Sequence, residues 1–144
     1  YDLISKSLPT VEGAVNDILA QIVDFSVVFS MNGKDIDTHI VYDDDRVWSL
    51  ELSSGMERFI SSLAIRIGLM NVSNLPQSNF LAIDEGWGTM DSENLNSVSQ
   101  LFQYLKTQFQ FTFVVSHIET MRDFVDTLLE IKKVDGSSSV RFSR

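Results

Sequence analysis

Four apolar residues run into two acids in Phe80-Leu81-Ala82-Ile83-Asp84-Glu85, the pattern of a buried strand that ends in carboxylates. Ligand sites in α/β sheets lie at the carboxyl ends of strands. There Asp84 can hold a Mg2+ on a nucleotide, mostly through water, because Mg2+ keeps part of its hydration shell. Glu85, one residue on, points elsewhere and can orient, or take a proton from, a water that attacks a terminal phosphate. Phe113-Val114-Val115-Ser116-His117 delivers an imidazole to a strand end in the same manner, where it can hydrogen-bond that phosphate and the water. Leu52-Ser53-Ser54-Gly55-Met56-Glu57 precedes an apolar helical stripe, and Ser54 with Glu57 has the spacing of a capping box. A helix N-terminus offers unpaired N–H groups and the positive end of its dipole to an anion, and the Ser54 hydroxyl adds a donor. Each motif also has a plain reading: a strand before an acidic turn, a strand-end histidine satisfied by a carbonyl, a capped helix.

The elements that must position these residues are legible as periodicities. Ile4, Leu8, Val11, Val15, Ile18 and Ile22 form one helical stripe, which the spacing also fits to the last turns of a coiled coil. Pro9 suits a helix start better than an interior, so a bend or restart is expected there. Phe25 to Met31, the hairpin signal Asn32-Gly33, and the alternation of Ile36, Thr38, Ile40 and Tyr42 predict a β-hairpin. Asp43, Asp44 and Asp45 read as a solvated loop, and His39 as structural or exposed. Met56, Phe59, Ile60, Leu63, Ile67 and Met70 make a second helix, and Leu95, Val98, Phe102 and Leu105 a third. Met121, Phe124, Val125 and Leu128 suggest a fourth. Phe80 to Ile83 and Phe111 to Val115 read as strands covered on both faces. Leu129 to Val134, Asp135-Gly136 and Ser139 to Phe142 read as a closing hairpin. Strands alternating with helices in the second half predict an α/β fold with a covered, mostly parallel sheet.

Composition narrows the function classes. A chain of 144 residues that is 44% hydrophobic is one domain with an ordinary core. No apolar run approaches the roughly 20 residues of a membrane span. There is no cysteine, which excludes disulfides and thiolate metal sites. A net charge of −9 argues against a broad phosphate-gripping face on this piece. The chain opens with Tyr1, so it is expected to be cut from something longer.

The order and spacing of the motifs resemble the heads of ABC-type ATPases of the SbcC-like branch, including phage recombination endonuclease ATPases. That branch carries a signature close to L-S-G-G-E, then a strand ending in D-E-G-F-G-T-L-D, then I-S-H. This chain has Ser53-Ser54-Gly55-Met56-Glu57, Asp84-Glu85-Gly86-Trp87-Gly88-Thr89-Met90-Asp91, and Val115-Ser116-His117. Leu8-Pro9 with Glu12, Ala14 and Asn16 is similar to the segment where that family's coiled coil re-enters the head. The signature departs twice: Ser53 stands where Leu is usual, and Met56 where a second Gly is usual, narrowing the space for backbone approach.

The resemblance implies the C-terminal lobe of a P-loop ATPase head over residues 1–144, with a helix re-entering from a coiled coil over 1–23 and the motif-bearing lobe over 24–144. It implies ATP and Mg2+ as cofactors, Asp84 as metal ligand, and Glu85 and His117 as catalytic residues. It further implies Ser53, Ser54, Gly55, Met56 and Glu57 as a clamp on ATP held by the opposite head, and Gly88, Thr89, Met90 and Asp91 as a D-loop facing the partner. No G-x-x-x-x-G-K-[ST] occurs, and no counterpart of the metal-completing glutamine. In the family both lie in an N-terminal lobe, so this lobe alone is expected to be inactive. The implied partners are that lobe, a second head, an SbcD-like metallo-nuclease and double-stranded DNA, in the cytoplasm of a bacterial or phage-infected cell. A condensin-like head without a nuclease and a non-catalytic ATPase-derived scaffold are the competing readings.

Overall fold

The computed structural model describes residues 2–43, 46–74, 76–85 and 94–143. Helix α1 spans Asp2–Leu19, and strands β1 (Phe25–Asn32), β2 (Asp35–Tyr42) and β3 (Val47–Ser49) form an antiparallel sheet in that order. A 3-10 turn, Leu50–Leu52, leads into α2 (Gly55–Val72). Strand β4 (Phe80–Asp84), helix α3 (Leu95–Gln108) and strand β5 (Phe111–Val115) follow, with β4 and β5 paired in parallel. A 3-10 segment, Glu119–Phe124, precedes the antiparallel hairpin of β6 (Leu128–Val134) and β7 (Ser137–Ser143).

The core is built from the predicted stripes. Val15, Ile18 and Leu19 of α1, Met56, Ile60, Leu63 and Ile67 of α2, and Val98, Leu101, Phe102 and Leu105 of α3 are buried together with Val27, Ile40 and Ile83. Ile4 is exposed, so the first turns of α1 lie beyond this core. Pro9 sits inside a single continuous helix rather than at a restart. Helices α1 and α2 come close together at Gly68, where an added Cβ would lie 2.8 Å from Val15 Cγ2 and 3.3 Å from the Val15 nitrogen.

Two turns fix the hairpin registers. Asn32 pairs with Asp35, so the first loop is Gly33-Lys34, one residue later than the Asn-Gly signal suggests, with Gly33 (φ 63°) at the position where a type II′ turn needs positive φ. Asp135 (φ 49°) and Gly136 (φ 82°) are both left-handed, as a type I′ turn requires. Such two-residue loops can only join antiparallel strands. Parallel pairing among the described residues is therefore confined to β4–β5, and the expectation of a mostly parallel sheet is met only there. The expected fourth helix is the 3-10 segment Glu119–Phe124, and Leu128 already belongs to β6. Met121 and Phe124 still pack inward; the Phe124 ring stacks on Phe102 at 6.0 Å.

The β4–β5 pair is covered on one face rather than two. Leu81, Ile83 and Val114 face the core. On the opposite face Phe80 and Phe111, cross-strand partners, are 54% and 59% exposed, and Phe113 and Val115 are exposed beside them. A continuous apolar run in sequence does not distinguish these two situations.

Candidate nucleotide-binding site

Strands β4 and β5 bring the acidic pair and the histidine to one edge. Asp84 is in register with Val115, and the Glu85 N–H extends the ladder by donating to the Val115 carbonyl at 3.0 Å. Glu85 then leaves the strand direction with φ 58°, a left-handed conformation uncommon for a residue with a Cβ. Strain of this kind, on the order of 1–3 kcal/mol, concentrates at functional sites. Glu85 Oε1 lies 3.0 Å from His117 Nδ1. Beside a carboxylate Nδ1 carries the proton, which leaves Nε2 directed outward. The pair is open to solvent, with the histidine side chain 81% and the glutamate 50% exposed. Asp84 is exposed at the strand's end and its carboxylate meets no side-chain partner among the described residues. A free carboxylate there fits one ligand position of a Mg2+ completed by phosphates and water. No group of three or more acidic or imidazole residues that could hold a metal occurs among the described residues, so Asp84 is not part of a self-sufficient cage.

The Ser54 site is a helix end held by the rest of the chain. Ser54 is the N-cap of α2 in an extended conformation. Its backbone N–H donates to Glu57 Oε2 at 2.6 Å, and its Oγ accepts from the Glu57 N–H at 3.2 Å, completing the capping box. The other carboxylate oxygen, Glu57 Oε1, accepts the Tyr42 hydroxyl. Burial pulls the Glu57 carboxyl upward, but the hydrogen bonds from Tyr42 and Ser54 prevail and hold it below its ordinary range. Burial, then the Glu57 carboxylate, pushes the Tyr42 phenol well above its ordinary value. The first N–H groups of an α-helix have no intrahelical acceptor, so those of Gly55 and Met56 remain for an incoming anion.

The two departures from the resembled signature are resolved by direction. Met56 turns inward and is 5% exposed, part of the core, so it does not narrow the outer approach. A Cβ on Gly55 would meet nothing within 4 Å, so this chain's own packing does not require a glycine there. Ser53 is buried and its Oγ donates to the Leu50 carbonyl at 2.6 Å, closing the preceding 3-10 turn rather than facing outward. Ser53 and Met56 thus shape the helix entry from beneath.

A cleft beside Ser54 is lined by Asp24, Phe25, Tyr42, Met56, Glu57 and the start of α3 at Asn94, Asn96 and Ser97, and takes in none of Asp84, Glu85 or His117. Of the motif residues, this cleft takes in the Ser54 group alone. Gly88, Thr89, Met90 and Asp91 lie outside the described residues. His39 is half-buried in β2, in register with Ser49 of β3.

Periodicity alone misses three residues that hold this architecture. Asn16 of α1 bridges both backbone groups of Val27, accepting from its N–H at 2.8 Å and donating to its carbonyl at 2.9 Å. Glu12 Oε2 accepts the Phe29 N–H at 2.7 Å. Together they occupy the free edge of β1, which would otherwise leave donors and acceptors open. The third is Tyr42, described above. The readable signal is a pair of polar residues at i and i+4 beside an apolar stripe, which marks a helix face but not what it pairs with.

No protein-family model matches the chain. Curated relatives do. The chain is 34% identical over 156 aligned positions to an uncharacterized protein, R555, of Acanthamoeba polyphaga mimivirus, in an alignment that covers 97% of this chain. It is 29% identical over 123 positions, 83% of this chain, to the SbcC component of the nuclease SbcCD from Staphylococcus aureus. The chain spans 12% of the length of each of these relatives. Among solved structures it superposes on a chain from work on ATP-driven dimerization and DNA-stimulated activation of SMC ATPases with a TM-score of 0.78 and 16% identity, covering 99% of this chain and 89% of that one. The Smc head domain of Pyrococcus furiosus, with an extended coiled coil and bound to the C-terminal domain of ScpA, matches with a TM-score of 0.69 and 19% identity over 99% of this chain and 36% of that one. Sequence likeness to an SbcC component and likeness of fold to SMC heads agree with each other. The chain is thus similar to the C-terminal lobe of an SbcC/SMC-like head.

Proposed function

We propose that this lobe forms half of an ATP-hydrolysing head in a DNA double-strand-break repair complex, where ATP-driven pairing of two heads gates DNA binding and a partner nuclease. The observation that supports it most is the Asp84, Glu85 and His117 edge, with Glu85 in a strained backbone conformation and hydrogen-bonded to His117. Glu85 takes a proton from the attacking water, and His117, oriented by Glu85 through Nδ1, turns Nε2, an acceptor in that tautomer, toward the attacking water beside the γ-phosphate. Asp84 would hold Mg2+, mostly through water, and the ion would supply neutralisation of charge on the phosphates. Ser54, with the N–H groups of Gly55 and Met56, closes on the γ-phosphate held by the opposite head. Hydrolysis removes that anion and with it the reason for the two surfaces to meet.

An open apolar surface supports this reading. The apolar face of Phe80, Phe111, Phe113 and Val115 calls for cover by further structure, as a sheet shared with a P-loop lobe would give. The SbcC relative favours a metallo-nuclease partner acting on double-stranded DNA; the likeness to Smc heads supports a second reading, a head without a nuclease. A non-catalytic scaffold has no use for the Glu85–His117 pair. Among the described residues no helix is long and apolar enough to cross a membrane; the location that goes with this reading is the cytoplasm of a bacterial or phage-infected host cell.

The test is Glu85→Gln in the complete head, this lobe together with its P-loop lobe. Hydrolysis should fall at least about 100-fold, the usual worth of a general base, while an ATP-bound dimer accumulates. Normal turnover in that variant removes Glu85 from the base role.

A further inference from the structure

The Ser54 helix end presents an electrostatic conflict. A helix N-terminus attracts a phosphate, yet Glu57 places a carboxylate in the same first turn, where it competes for the same N–H groups and repels an incoming anion. The structure resolves the conflict by occupying both carboxylate oxygens: Oε2 takes the Ser54 backbone N–H and Oε1 takes the Tyr42 hydroxyl. Tyr42 is the last residue of β2, and its ring is packed between Phe25 at 5.5 Å and Trp48 at 5.9 Å, with the Arg46 guanidinium 4.8 Å above it. The Tyr42 hydroxyl thus ties the β1–β2–β3 sheet to the first turn of α2, at a carboxylate that is only half-buried.

We propose that Tyr42 is a positioning residue for the phosphate clamp: its hydroxyl pins Glu57, so that the carboxylate is held to the Ser54 backbone and away from the anion that Ser54, Gly55 and Met56 receive. The inference rests on the reading of Ser54 as a clamp on a triphosphate bound by a second head. The ligand class is the terminal phosphate of a nucleoside triphosphate presented in trans, and Tyr42 acts on it only through Glu57. This makes the antiparallel sheet part of the clamp's support, a role that neither its fold nor its exposure would suggest.

The test uses the complete head carrying Glu85→Gln to block hydrolysis, with ATP-dependent dimerisation followed by analytical ultracentrifugation and single-head ATP affinity by calorimetry. Tyr42→Phe keeps the ring packing and deletes only the hydroxyl. It should weaken the dimer about tenfold, as expected for loss of a hydrogen bond to a charged group, and leave single-head ATP affinity unchanged. Glu57→Ala should weaken it as well, and Tyr42→Phe added to Glu57→Ala should bring no further loss, because the hydroxyl then has nothing to hold. Glu57→Gln, whose single acceptor oxygen serves Tyr42 or Ser54 but not both, should fall between the parent and Glu57→Ala. Parent-like dimerisation of Tyr42→Phe, or additive losses in the double variant, overturns the proposal. Ser54→Arg in the same background separates the two claims: if it still dimerises, the clamp reading itself fails. If it blocks dimers while Tyr42→Phe behaves as the parent, only the role of Tyr42 falls.

Discussion

At the N-terminus of α2 three side chains around Ser54 are tied to other parts of the chain: Glu57 to Ser54 and Tyr42, Ser53 to the Leu50 carbonyl, Met56 into the core. At the carboxyl edge of β4 and β5, Glu85 and His117 hold only each other, in the open, and Asp84 holds no side chain among the described residues. The first surface is finished before any ligand arrives. In the proposed function the second is a set of reacting groups to be completed by phosphates, metal and a neighbouring lobe. A clamp that must recognise a nucleotide on another molecule gains from being preorganised, because ordering it on contact would weaken the association. A hydrolytic edge gains from groups that reorganise when the substrate completes them.

Variants separate the two surfaces by what they break. The largest effect is expected at the reacting edge, where Glu85→Gln stops turnover but not dimerisation. Ser54→Arg should break the pairing itself, placing a long cation over the helix end and its dipole: ATP-dependent dimers disappear in ultracentrifugation while a single head still binds ATP. Persistence of dimers would move the clamp elsewhere.

Effects on the scaffold are smaller and leave the comparison intact. Gly68→Ala forces α1 and α2 apart at Val15 and should destabilise the lobe by about 1–3 kcal/mol, read as a lowered denaturation midpoint. The Glu57–Tyr42 link sets a pH window. Glu57 is held below its unfolded value of 4.5, so its contribution is present above pH 4.5 and is lost as pH falls through its folded value. Tyr42 is held above its unfolded value of 10.0, so its contribution is present below pH 10.0 and is lost as pH rises further. Stability of Tyr42→Phe measured against pH should be flatter than the parent's at both ends; parallel curves would contradict the link. The smallest effect is Ser61→Ala. The Ser61 hydroxyl is fully buried with no partner among the described residues, so its removal should leave stability unchanged or raise it by up to about 1 kcal/mol.

How much of this is legible in the sequence differs between the two regions. The reacting edge follows from a simple rule, an apolar run ending in acids or histidine, because strand ends in α/β folds fix where such residues emerge. The register that sets Glu85 against His117 is a long-range pairing of β4 with β5, and no local pattern encodes it. The capping box is readable from Ser54 and Glu57 because it is local. Tyr42 is readable only as the end of an alternating strand; its hydroxyl's partner lies 15 residues on, across a turn and into α2. The one-sided cover of β4 and β5 is hidden for a further reason: an apolar residue awaiting a partner and one already covered have the same letter. Met121 and Phe124 read as helical because a 3-10 segment repeats near the same spacing over so short a stretch.

The central claim is that hydrolysis needs Glu85 of one head and Ser54 of another. Complete heads carrying only Ser54→Arg and complete heads carrying only Glu85→Gln should each be inactive. Mixed together, they form pairs in which one composite site has both residues intact, and hydrolysis should return. A mixture as inactive as its two components would contradict a site shared between two molecules.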